Sequence, residues 1–251
     1  MPFAETPLRD EYAAAVERVA RRTLDALRGD GGAAALADPD GAVPRPTLAA
    51  LRVLGADLFA PQLLTGAAPD GPTAVLLAEA RQAFPAPDSA LESAAASADA
   101  ALVIAWQDWA AGQVLARTPY GTGAPPPVPP PGPEAVGWQT WSVRMAQLSV
   151  LALPGLDGPV HDTARAHTLA LARGAVRSML RRDLPTAARL ARWLAWAGAE
   201  GRPLRLEVEP VLERIRLAGN GSARTGLELA VARRLLDRSS RPPTDRRSRV
   251  R

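Results

Sequence analysis

Residues 119–133 of this chain contain eight prolines: Pro119, Pro125, Pro126, Pro127, Pro129, Pro130, Pro131 and Pro133. Proline has no amide hydrogen to donate and its ring fixes φ, so neither a helix nor a central strand can run through the stretch. The segment is expected to be a stiff connector of polyproline II type. It divides the chain into two lobes, 1–118 and 134–238, which can still share one core within a single domain of residues 1–238.

On both sides of the connector the apolar residues recur at helical spacing, which predicts an all-α bundle of about eight or nine helices. Leu8, Tyr12, Val16, Val19, Thr23 and Leu27 form one stripe, with Thr6 and Pro7 opening a helix of about 6–28 and Gly29 closing it. Residues 29–45 are rich in Gly, Asp and Pro and read as a loop. Helices of about 46–59 and 72–84 follow, ended by Pro61 and Pro85. A long helix is expected from Asp88 to Ala116, apolar on all sides between Ala100 and Trp106 and therefore placed in the domain centre.

After the connector, Trp138, Trp141, Met145, Leu148 and Ala152 step by three and four, predicting a helix of about 134–153. One helix of about 159–182 then turns at Asp183-Leu184-Pro185 into a partner of about 185–198. The tetratricopeptide consensus does not line up with this hairpin and no second copy occurs, so no repeat family is assigned. Leu204, Leu206 and Val208 alternate with charged residues and suggest an extended segment before Pro210 opens a helix to about Leu217. Ser222 caps a last helix through about Asp237. Residues 239–251 are polar and Arg-dense, and are expected to be a disordered tail.

Composition removes most catalytic classes. There is no Cys, which excludes disulfides, thiolate catalysis and cysteine-ligated metals. All 30 basic residues are Arg, so a phosphate-loop lysine, a Schiff-base lysine and a lysine general base are excluded as well. With Asn present once and Ile twice, the bias resembles that of a GC-rich bacterial genome, which makes part of the arginine content mutational. The N-terminus carries Glu5, Asp10 and Glu11 without an apolar core, and no unbroken apolar run reaches the length of a membrane span; a cytoplasmic protein without membrane insertion is expected.

Two histidines remain for acid–base or metal chemistry. His161 and His167 are six residues apart, so on one helix their rings would point about 120° apart and could not share a metal. His161, at a helix start, is expected to cap or to face solvent. Gly219-Asn220-Gly221-Ser222 lacks the spacing of a phosphate-binding loop. Neither a catalytic residue nor a cofactor or metal site is therefore expected.

Two clusters carry the functional candidates. All six tryptophans fall in Trp-x-x-Trp pairs, Trp106/Trp109, Trp138/Trp141 and Trp193/Trp196, each forming one aromatic plate on a helix. Such plates are either core wedges or platforms for proline rings and partner helices. Trp106, Trp109, Trp138 and Trp141, with Pro126, Pro127, Pro129 and Pro130 of the connector, are the candidate partner-binding set. The second cluster is electrostatic. Residues 1–164 hold 10 Arg against 18 acids, whereas residues 165–251 hold 20 Arg against 8. Arg165, Arg173, Arg177 and Arg181 are expected on one helix face, with Arg182, Arg189 and Arg192 extending it. Such a stripe suits an acidic protein or a phosphate backbone. The sequence thus favours a non-catalytic helical adaptor or assembly component that binds another protein, then a nucleic-acid binder, with an enzyme third.

Overall fold

The computed structural model describes residues 5–29, 43–85, 95–120, 127–130, 137–219 and 221–239. Pro126 and the connector residues beside it, the Arg-rich tail from residue 240, most of the loop 29–45 and the start of the expected 88–116 helix lie outside the described residues.

The described residues form an all-α bundle with no strand. Its helices are α1 (Glu5–Arg28), α2 (Arg45–Leu54), α3 (Ala60–Thr65), α4 (Gly71–Ala83), α5 (Ala95–Leu115), α6 (Trp138–Gln147), α7 (Pro159–Ala166), α8 (Thr168–Leu180), α9 (Leu184–Ala199), α10 (Val208–Ala218) and α11 (Ala223–Ser239). A 3-10 turn, Gly55–Phe59, joins α2 to α3 end to end, so there are ten separate helical rods among the described residues rather than eight or nine.

Pro61 does not end the second helix. It occupies the first turn of α3, where a missing amide donor costs nothing, and Gly66 closes that helix in the left-handed region at φ 75°. The resulting stretch Arg45–Thr65 has the length and mean hydropathy, 1.3, of a membrane span, but 67% of that window is buried in the protein's own core. Asp70 and Asp183 cap α4 and α9 by accepting from the amides of Thr73 and Thr186. Residues 204–207 are irregular, and α10 begins at Val208, two residues before Pro210.

The expected centre of α5 is displaced. Leu102, Val103 and Ile104 are only half-buried, while Trp106, Trp109, Ala110, Ala111 and Val114 face inward. The 55–59 turn and a second 3-10 turn at Ser149–Leu151 pack on α5, and Arg144 of α6 pairs with its Asp99 at 2.8 Å.

One hydrophobic core runs through both sides of the connector. α1 packs on α2 and also on α11, and α11 packs on α9. Glu17 of α1 ties the chain ends together by accepting from Ser222 Oγ at 2.8 Å and from the Ala223 amide at 2.6 Å. A carboxylate there also meets the positive end of the α11 dipole.

Candidate functional site

His161 is fully buried, not solvent-facing. Its ring packs against Trp193 and Trp196 at centroid distances of 5.5 and 5.1 Å, with Trp109 at 6.5 Å. Nε2 donates to the Leu151 carbonyl at 2.9 Å, which fixes the tautomer and leaves Nδ1 unprotonated. Burial among indoles disfavours the imidazolium, and despite the pull of the Leu151 carbonyl the pKa is held below the usual histidine value. His167 lies elsewhere, against Trp141 at 5.5 Å. No group of three or more metal-ligating side chains occurs among the described residues.

The tryptophan pairs part company. Trp106, Trp109, Trp193 and Trp196 are core. Trp106 Nε1 donates to the Pro130 carbonyl at 3.0 Å, so the described part of the connector is tied to α5 by an indole N–H. Pro127 and Pro130 are exposed and Pro129 half-buried. Trp138 and Trp141 are half-buried at the surface.

The arginines also divide. The expected 159–182 helix breaks at His167, which caps α7 with φ −118° and ψ 36°. Arg165 therefore stands on α7, apart from the others. It pairs with Asp157, Asp162 and Glu200 at 2.9, 2.9 and 3.4 Å and lies over the Trp196 ring. Arg192 faces inward instead of extending the stripe. It is completely buried, donating to Asp57 at 2.7 Å, Glu228 at 3.0 Å and the Ala152 carbonyl at 3.2 Å. Ser149 donates to the same Glu228, and Arg189 and Arg224 approach it at 3.8 Å. Burial pushes the Glu228 carboxyl up, but Arg192, Arg224 and Arg189 outweigh it and hold the group below its usual value.

Arg173 and Arg177 remain together on α8 with Arg181 capping its C-terminal end, and none of them has an ion pair among the described residues. Arg177 lies over the Trp138 ring, 5.7 Å from its centroid. Arg182 turns the hairpin at φ 59°, standing where a glycine is usual, while its amide donates to the Met179 carbonyl. Gly174 supplies the close approach behind them: a Cβ there would meet Ser142 Cβ of α6 at 2.7 Å and Leu190 Cδ1 of α9 at 3.0 Å.

Beside the arginines runs an open groove of about 670 Å³. Its floor is Leu169, Ala172, Val176 and Leu180 of α8; Trp138 and Gln139 form one wall, and Arg205 and Leu206 the other. The floor is apolar yet open: Leu169, Val176 and Leu180 are 45%, 41% and 81% exposed. Among the described residues, Arg173, Arg177 and Arg205 are the charged ones lining it. A second recess shares Gln139 and Arg177 with it and is lined also by Ser142, Val143, Arg181 and Asp183.

The sequence reading named Trp138, Arg173, Arg177 and Arg181 but missed the floor. The signal was there, since Leu169, Ala172, Val176 and Leu180 step by three and four between the arginines. An apolar row at helical spacing ordinarily means core, and only the packing leaves this one uncovered. No protein-family model matches this chain, and neither does any curated protein or solved structure with which it was compared.

Proposed function

We propose that this protein is a non-catalytic, cytoplasmic helical adaptor or assembly component that binds another protein, working without metal or cofactor. One observation carries the reading: the groove along α8, where three large aliphatic side chains stand exposed in a row beside Trp138 and arginines with no ion pair among the described residues. A row of aliphatic side chains open to water costs solubility, and an adjoining aromatic and arginine are the residue types that anchor interfaces. In this reading the Pro-rich segment is a stiff connector between lobes 1–118 and 134–238, steadied by the Trp106–Pro130 hydrogen bond.

The test is a photo-crosslinking side chain at position 180 in living cells, with position 53, exposed on α2 and remote in sequence, as control. A discrete protein adduct is expected from position 180 only. The adduct partner, identified by mass spectrometry and purified, should bind the full chain, and Val176→Asp should weaken that binding. Absence of a position-180 adduct would remove the reading.

Nucleic-acid binding is the second reading, favoured by the exposed Arg173 and Arg181 and the half-buried Arg177, none with an ion pair among the described residues, and by the +12 balance of residues 165–251 (20 Arg against 8 acids). Duplex binding should then appear at low salt and fall steeply as salt rises, because neutralised phosphates release counterions. Reversing the three arginines to Glu should abolish it. A nuclease-sensitive adduct at position 180 would favour this reading over the first.

A further inference from the structure

We infer that the occupant of the α8 groove is an acidic amphipathic helix of a partner protein, an inference that rests on the protein-binding reading above. The size fits. From Leu169 to Leu180 the floor advances eleven residues, about 16 Å at 1.5 Å per residue, which is three turns of a docked helix. A helix laid there presents apolar anchors at i, i+3/i+4 and i+7, the pattern by which helices fill grooves. Trp138 and Leu206, both half-buried, extend the apolar lining beyond α8.

The charge selects among occupants. Arg173, Arg177 and Arg205 line the groove, no carboxylate does, and none of the three has an ion pair among the described residues. Arg181 stands in the adjoining recess. Glu or Asp flanking the apolar face of a docked helix would meet these guanidinium groups as charge-assisted, bidentate pairs. A second copy of this chain fits worse, since a two-fold contact through the groove brings the same arginines against one another. A nucleic acid would use the arginines but leave Leu169, Val176 and Leu180 without a role. A flat anionic membrane would meet the exposed Leu180 but make less use of Trp138 and Leu206, which are half-buried.

The experiment is selection from a random peptide display library against the full-length protein. Enriched peptides should carry apolar residues at i, i+3/i+4 and i+7 with Asp or Glu beside them. The best of them, made synthetically and followed by anisotropy, should lose about 30-fold in affinity on Leu180→Asp, the loss of an interface anchor. Arg173→Glu with Arg177→Glu should cost at least about tenfold, and the binding should weaken with salt. Circular dichroism and the melting temperature of each variant establish that it folds, as expected for side chains this exposed.

Groove-dependent peptides without acidic residues would overturn this inference while leaving the protein-binding reading in place. No enrichment, or binding unaffected by Leu180→Asp, would overturn the inference, and the crosslink at position 180 would then decide the reading by itself. Leu180-dependent binding to vesicles of phosphatidylglycerol and phosphatidylethanolamine, with no peptide enriched, would replace the peptide by a membrane.

Discussion

Arg192 and Arg177 sit on neighbouring helices of one hairpin, α9 and α8, joined by the turn at Arg181–Asp183, and they do opposite things. Arg192 is completely buried, and Asp57 and Glu228 neutralise it from two other parts of the chain. Arg177 lies at the surface over Trp138, with no carboxylate partner among the described residues. In a chain whose cations are all arginine, the residue type says nothing about role; the surroundings do. The inner arginine spends its hydrogen bonds on holding the bundle together, and the outer one keeps its own available.

Breaking the inner side should have the largest effect. Arg192→Ala strands the buried Asp57 and Glu228 carboxylates without their main counter-charge, which by analogy with other buried pairs costs about 3–5 kcal/mol. Denaturant unfolding should register most of the protein's stability as lost. Should the loss stay under about 1 kcal/mol, the idea that this network fastens the 55–59 turn, α9 and α11 together is wrong.

Gly174→Ala tests the hairpin from the middle, because the added methyl group would stand 2.7 Å from Ser142 Cβ, closer than real Cβ contacts come, and tightly against Leu190 Cδ1 at 3.0 Å. Overpacking of this kind costs about 1–3 kcal/mol. α8 should be pushed away from α6, and with it the wall that Trp138 makes, so the variant sharpens the comparison: it lowers the melting temperature and weakens peptide binding together. A Gly174→Ala protein with unchanged stability and unchanged groove affinity would show that α6 and α8 move independently.

These two regions also differ in how far the residues alone disclosed them. Helix existence was legible nearly everywhere, because a stripe such as Leu8 to Leu27 has one physical explanation. The break at His167 was not, since Arg165 and Arg173 continue a plausible helix face across it and only the turn geometry separates α7 from α8. Arg192 was misplaced on the surface because its partners lie 135 and 36 residues away, beyond any local pattern. His161 was misplaced for the same reason: its cage is assembled from Trp109 on α5 and from Trp193 and Trp196 on α9. Of the groove, the arginines and Trp138 stood out by type. The aliphatic floor did not, because exposure is a property of what fails to pack on it.

A pH titration probes the inner groups with a gentler perturbation. His161 is held below its usual pKa by burial, so the folded protein binds fewer protons than the unfolded chain once the pH drops below about 6.5. Stability should therefore be constant above that value and fall as the pH moves down toward the folded pKa. Glu228 is depressed as well, so its contribution is present above the ordinary carboxylate range and is lost as the pH falls through the folded value. His161→Phe should remove the first fall and keep the second, as read by urea midpoints from about pH 8 down to about pH 2, below the ordinary carboxylate range. Should the variant follow the same curve as the parent, the near-neutral dependence belongs to another group.

Arg177→Glu should change stability least, by within about 0.5 kcal/mol, because the side chain is partly exposed and gives up only a ring contact. That small number is what gives the variant its use. Losing the guanidinium from above Trp138 alters the environment of one half-buried indole, while Trp106, Trp109, Trp193 and Trp196 stay in the core. The fluorescence difference between parent and variant should consequently come from a solvent-accessible tryptophan, quenchable by acrylamide, and Trp138→Phe should abolish it. Groove affinity for an acidic helix should fall several-fold at low salt and converge with that of the parent as salt rises, since screening removes an exposed charge's contribution first. A loss of several kcal/mol in stability instead would place Arg177 with Arg192 among the residues that hold the bundle together, and the division between inner and outer arginines would collapse.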